Sequence, residues 1–152
     1  MAPSSVEIVE LRRATMSDAP AIARVLRLSL ESLVWMPKLH TPDEDLAFIR
    51  DTVLPRQSVT VAEAGGEIVG FVAVHEGWLN LLYLSPEWTG QGIGGRLLEA
   101  ATAGAGEAKL YCFQANAGAR RFYERHGFRA SAFSAGSANE EGLPDVLYTR
   151  RG

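Results

Sequence analysis

A length of 152 residues fits a single domain spanning 1–152, and 47% hydrophobic against 22% charged residues is the balance of an ordinary globular protein. Fifteen Lys and Arg against eighteen Asp and Glu leave a net charge of -3, which argues against a general nucleic-acid binder. The lone Cys112 excludes a disulfide scaffold, and no run reaches the ~18 apolar residues of a membrane span, so no membrane partner is expected.

The start, Met1-Ala2-Pro3-Ser4-Ser5-Val6-Glu7, lacks the basic and apolar regions of a signal peptide, and a cytoplasmic location is expected. Val6 to Arg12 alternates apolar and polar residues, as a half-buried strand does. Ser17-Asp18-Ala19-Pro20 opens a helix with Ser17 as its cap and Ile22, Val25, Leu26 and Leu30 as its apolar stripe. After an irregular stretch from Leu33 to His40, Thr41-Pro42-Asp43-Glu44 forms a capping box. The helix it opens should turn Leu46, Phe48, Ile49 and Val53 inward and stop before Pro55. Ser58 to Ala64 and Glu67 to His75 are strands flanking Gly65-Gly66, a tight-hairpin dipeptide. Trp78 to Leu84 is nearly all apolar, the pattern of a strand buried on both faces. A loop from Ser85 to Gly92 then leads into a helix carrying Ile93, Leu97, Leu98 and Ala101. Lys109 to Phe113 is the next strand, and Asn116 caps a helix that Gly127 ends. Phe128 to Phe133 and Leu143 to Tyr148 are the closing strands. The order predicts an α/β (mixed α+β) fold: a twisted, mainly antiparallel sheet with helices on both faces and one βαβ unit.

Gly90, Gly92 and Gly94 stand where the loop enters its helix. Glycines there let backbone amides approach a ligand, and a helix start favours negative charge, so the stretch predicts a phosphate site. Gly90-Gln91-Gly92-Ile93-Gly94-Gly95 formally matches the dinucleotide pattern GxGxxG. Five residues, Ser85 to Thr89, separate it from its strand, however, and the next strand ends in Phe113-Gln114 rather than an acid. No Lys followed by Ser or Thr comes after the glycines, so an ATP-type loop fails as well.

With Leu82-Tyr83-Leu84-Ser85-Pro86 before it, Thr89-Gly90-Gln91-Gly92-Ile93-Gly94 resembles the Arg/Gln-x-x-Gly-x-Gly/Ala loop of the GNAT superfamily of acyl-CoA-dependent N-acyltransferases. Thr89 stands where the family usually has Arg or Gln. A second stretch, Asn116-Ala117-Gly118-Ala119-Arg120-Arg121-Phe122-Tyr123-Glu124-Arg125-His126-Gly127-Phe128, is similar to the family's Asn-x-x-Ala-x-x-Phe-Tyr-x-x-x-Gly-Phe. The element order from Val6 to Tyr148 also matches the family fold.

The resemblance implies acetyl-CoA as co-substrate and no metal. Leu82, Tyr83 and Leu84 would hold the pantetheine arm, and Thr89, Gly90, Gln91, Gly92, Ile93 and Gly94 the pyrophosphate. Arg96, Arg120, Arg121 and Arg125 are candidate sources of positive charge nearby. The family places the matching Asn116 near the pantetheine and the matching Tyr123 near the sulfur; seven residues apart, they share one helix face. A phenol of unperturbed pKa ~10 stays protonated at neutral pH, so Tyr123 is the candidate general acid. Cys112, in the apolar run Leu110-Tyr111-Cys112-Phe113, reads as packing.

No base stands out, because Tyr111 occupies the position where some family members carry Glu. His75, Glu76, Glu140, Glu141 and Asp145 are alternatives to a water chain touching Asn80, which is the preferred reading. The family's acceptor groove would include Trp35, Met36 and His40, with Glu31, Glu141 and Asp145 attracting a cationic amine. The expected function is acetyl transfer to a primary amine of a small molecule or peptide by direct attack in a ternary complex. Family members often pair, which makes a homodimer a possible assembly. The alternatives are a non-catalytic acyl-CoA-binding or regulatory domain and a nucleotide-binding module.

Overall fold

Gly65 and Gly66 take φ of 58° and 82°, the left-handed pair that a two-residue hairpin needs. They fold β2 (Ser58–Ala64) straight back onto β3 (Glu67–His75), and β3 turns in the same sense into β4 (Trp78–Leu84). The computed structural model describes residues 8–152, so Val6, Glu7 and the rest of the N-terminal heptapeptide lie outside the described residues. β1 (Val9–Arg13) adds antiparallel to β2. The remaining strands are β5 (Glu107–Phe113), β6 (Arg129–Ser134) and β7 (Asp145–Arg151). They complete a seven-stranded sheet of order β1-β2-β3-β4-β5-β7-β6. Only β4 and β5 pair in parallel, joined by α4 (Ile93–Thr102) in the predicted βαβ unit.

Helices cover both faces. α1 (Ala19–Glu31) buries Ile22, Val25 and Leu26 against Val59, Val61 and Phe71 of the sheet. On the opposite face α4 and α5 (Ala117–Arg125) bury Leu97, Leu98 and Tyr123 with Val72, Leu110 and Tyr148. Asn116 caps α5 as expected, its side chain accepting from the Ala119 amide at 3.1 Å. Gly127 ends the helix at φ 88°, and Phe128 N–H reaches back to the Tyr123 carbonyl at 3.0 Å.

Two local readings change. Thr15 and Asp18, not Ser17, form the box that starts the first helical segment, with the Thr15 amide donating to the Asp18 carboxylate at 2.8 Å. Asp18 wins because Arg12 of β1 clamps it through two hydrogen bonds of 2.9 and 3.0 Å, a partner three-dimensional pairing alone supplies. Arg12, with the Thr15 amide, holds the Asp18 carboxyl down at about 2. A carboxyl depressed in the folded state stabilises the fold above its unfolded pKa of ~3.9, and that contribution fades as pH falls through the folded value. The melting midpoint of the protein should therefore fall more steeply below about pH 4 than that of Asp18→Asn; equal slopes would remove this ion pair from the acid response.

The second change concerns Pro55. α2 (Pro42–Phe48) does not stop ahead of it but widens into a π-type turn over Ile49–Val53 and continues as α3 (Leu54–Arg56). The wide turn puts Pro55 in the first turn of a new segment, where its missing N–H is harmless. Ile49 and Val53 are buried as predicted, whereas Phe48 is left 41% exposed on the wall of a cavity.

Candidate active site

β4 runs antiparallel to β3 along its whole length but meets β5 at one rung, Trp78 with Lys109. The cause lies at Asn80, an extra residue between Leu79, opposite Val74, and Leu81, opposite Ala73. Such a bulge bends and over-twists its strand, and here it swings the far end of β4 away from β5. The resulting gap explains why only Leu79 of the apolar run is fully buried, against the expectation of burial on both faces.

Register decides which groups face the gap. Ser85 N–H donates to the Val69 carbonyl at 2.8 Å, so Tyr83 and Leu81 turn their backbone groups to β3. Leu82 and Leu84 then turn theirs to the open side. Ser29 of α1 occupies one of these, its hydroxyl donating to the Leu84 carbonyl at 2.9 Å. Of the three residues expected along the arm, Leu82 and Leu84 present backbone and Tyr83 presents its side chain. Nothing in the local pattern marks Ser29, which sits between Leu28 and Leu30 of an amphipathic helix.

The glycine loop lies at the end of this gap. Gly90 and Gly92 take φ of 77° and 84°, and a Cβ on either would meet nothing within 4 Å. Gly92 caps α4 with no side chain, and Arg96 N–H bonds the Gly92 carbonyl at 3.2 Å. Among the described residues the amides from Gly90 to Gly95 find no protein acceptor. Thr89 turns its hydroxyl back to the Pro86 carbonyl at 2.9 Å, and Gln91 its amide to the Glu87 carbonyl at 3.3 Å, so neither side chain covers those amides. The buried Ile93 anchors the helix start in the core. A row of unsatisfied N–H groups at a helix start is a site for an anion such as pyrophosphate. Of the four arginines, Arg96 bonds the Val9 carbonyl at 2.9 Å and Arg120 the Tyr148 hydroxyl at 3.0 Å. Arg121 and Arg125 are exposed and form no ion pair among the described residues.

Tyr123 of α5 is buried near Cys112 of β5 and Tyr83 of β4, the strands on either side of the gap. Its ring is wedged edge-on against Phe122 and Phe128 at 5.2 and 5.8 Å, and its hydroxyl, which is not sealed from solvent, makes no hydrogen bond among the described residues. Burial raises its pKa far above the ordinary tyrosine value, with the nearby Cys112 and Tyr83 adding to the shift. Cys112 is itself pushed up to about 11 by burial, so it is a packed thiol and not an activated nucleophile. Asn116, two turns back, spends its side-chain oxygen on the cap.

On the α1 side the gap opens into a cavity of about 530 Å³. Its walls come from α1, the α1–α2 connection, α2, Leu81, Tyr83, Phe113 and the β6–β7 connection. Met36, His40, Glu31 and Glu141 line it as expected, whereas Trp35 packs edge-on against Phe113 at 5.6 Å and Asp145 lies outside. Asp145 is taken up by Ser134 at 2.6 Å and Asn139 at 3.2 Å. His75 and Glu76 pair with each other at 2.7 Å at the closed end of the β4–β5 seam, away from the gap. Tyr111 stacks on Trp78 at 5.5 Å, and Asn80 donates to Gln57 at 3.0 Å.

Residues 55–130 match the family described as Acetyltransferase (GNAT) domain. An uncharacterized N-acetyltransferase of Archaeoglobus fulgidus is 33% identical over 150 residues, covering 87% of this chain and 100% of that protein. The peptidyl-lysine N-acetyltransferase YiaC of Escherichia coli is 31% identical over 122 residues, covering 78% and 82%. In fold, yncA of Salmonella typhimurium, solved with its cofactor acetyl-CoA, superposes with a TM-score of 0.73 at 19% identity, covering 94% of this chain and 93% of that one. Kinship along most of the chain gives a split sheet and a glycine loop of open amides a single interpretation: the chain belongs to the GNAT superfamily and is an acetyl-CoA-dependent N-acetyltransferase.

Proposed function

We propose that the acceptor is a primary amine of a small molecule or peptide, and that it attacks the thioester directly in a ternary complex. The observation that carries this reading is the gap between β4 and β5, flanked by the glycine loop that follows β4 and by Leu81, Tyr83 and Phe113 of the cavity wall. Acetyl-CoA supplies the activated acyl group. Gly90 to Gly95 bind its pyrophosphate through backbone amides, and Leu82 with Leu84 aligns the pantetheine arm as a neighbouring strand would. Thr89 contributes no charge, so backbone carries the grip. Tyr123 keeps its proton well beyond neutral pH and donates a hydrogen bond to the sulfur as the C–S bond breaks. Asn116 keeps its side-chain nitrogen free for the arm. The likeness to a peptidyl-lysine N-acetyltransferase supports an amine on an alkyl stem as acceptor.

Thermal unfolding with acetyl-CoA, CoA, NAD or ATP added separately tests the cofactor site. Acetyl-CoA at 100 times its Kd should add about 2.7 kcal/mol, a shift of several degrees, and CoA should act likewise. Gly92→Val should abolish the shift, because a branched side chain fills the space beside the amides and resists a φ of 84°. A midpoint raised by NAD or ATP alone would overturn the reading. A shift with acetyl-CoA but no thiol release across a panel of primary amines would favour the non-catalytic binding domain.

A further inference from the structure

Five carboxylates line the cavity under α1, and the structure sorts them. Asp45 is held by Arg27 at 2.7 Å. Glu44 accepts from the Thr41 amide at 2.8 Å and lies 3.9 Å from His40, whose other ring nitrogen meets Glu140 at 2.7 Å. Glu31 and Glu141 have no hydrogen bond or ion pair among the described residues. Lys38 is an exposed cation of the same wall, also without an ion pair among the described residues. Of the two free acids, Glu31 ends α1 in solvent, while Glu141 is half-buried on the β6–β7 connection.

Glu141, unlike Glu31, is close enough to β4 for its charge to act on Tyr83. It shares the cavity wall with Tyr83, whose hydroxyl is not sealed from solvent and makes no hydrogen bond among the described residues. Burial, with the charge of Glu141 adding to it, pushes the Tyr83 phenol up to about 12, so the carboxylate and the phenol feel one another. Arg27 serves Asp45 and His40 serves Glu140, which leaves Lys38 as the cation of this wall without an ion pair among the described residues.

The geometry points to Glu141 as the residue that receives the ammonium group of an alkylamine acceptor and takes its first proton, with Glu31 as the charge anchor at the rim. This inference rests on acetyl transfer through the β4–β5 gap. The ammonium proton passes to a Glu141 carboxylate oxygen, and the freed nitrogen forms the C–N bond as the thioester C–S bond breaks. The second nitrogen proton ends on the departing sulfur by way of the Tyr123 hydroxyl and solvent, and Glu141 returns its proton to water. One amide, one thiol and one released proton balance the step. The apolar wall of Leu30, Met36 and Phe48 suits the alkyl stem.

The probe is N-α-acetyl-lysine amide, with thiol release followed from about pH 6 to 9 in the wild type, Glu141→Gln and Glu31→Gln, beside the acetyl-CoA melting shift of each. The wild-type kcat/KM should stay flat, because carboxylate and ammonium coexist below the amine pKa of ~10.4. Glu141→Gln should lose about 100-fold or more in kcat/KM at pH 7 and climb about tenfold per pH unit toward the wild-type value near pH 9, since only amine already neutral in solution can react. Glu31→Gln should raise KM about tenfold with kcat unchanged. All three should keep the acetyl-CoA shift. A Glu141→Gln profile as flat and fast as wild type overturns the assignment, and so does a wild type that binds acetyl-CoA but never acetylates the lysine probe. Loss of the acetyl-CoA shift in the wild type instead overturns the underlying acetyl-transfer reading.

Discussion

Tyr123→Phe should lower kcat by about 100- to 1,000-fold while leaving the acetyl-CoA melting shift in place. The ring is wedged between Phe122 and Phe128, and phenylalanine keeps both contacts, so the helix and its packing survive. The hydroxyl bonds to nothing else among the described residues, so its removal orphans no partner. What disappears is one donor at the gap. Burial raises the phenol pKa, which keeps that donor charged with its proton even in alkaline solution. Wild-type kcat should accordingly show no loss attributable to Tyr123 below about pH 10. Steady-state kinetics across pH check both points, and a variant within about threefold of wild type would remove Tyr123 from the chemistry.

Arg27→Met should destabilise the fold by about 3–5 kcal/mol, the usual cost of stranding a buried charge. Asp45 is 4% exposed, and the Arg27 Nε at 2.7 Å is its side-chain partner. The same guanidinium donates to the His40 carbonyl at 2.8 Å, so one side chain fastens α1 to both α2 and the connection between them. For a chain of this size the melting midpoint should drop by roughly 10 °C. Adding Asp45→Asn should recover part of the loss, because the stranded charge is then gone. A single variant melting within about 2 °C of wild type would show that the pair contributes nothing net. The cavity wall should loosen too, appearing as a higher acceptor KM.

Local signals were legible wherever they did not depend on a distant partner. Gly65-Gly66 specified its hairpin, Asn116 and Gly127 bounded α5, and the glycine loop announced open amides before α4. Tertiary pairing decided the rest. Ser17 and Thr15 are equally good caps by type, and the choice fell to Asp18 because Arg12 of β1 was in reach. The apolar run of β4 reads as doubly buried because nothing in it reveals that Asn80 is an extra residue against β3. The candidate acids could not be ranked from the chain alone. Glu140, Glu141 and Asp145 are close in sequence, yet two have found partners and one has not.

The split between β4 and β5 gives the sheet four edges instead of two. Unpaired edges ordinarily invite pairing with another chain, and the two outer ones carry the usual deterrents. β1 offers Glu10, Arg12 and Arg13, and β6 carries Arg129 and a bulge at Ser131. The inner edges need none of these, because α1 lies over one mouth of the gap and α4 and α5 over the other. The protein thereby keeps a hydrogen-bonding template open for its ligand without presenting a seed for aggregation.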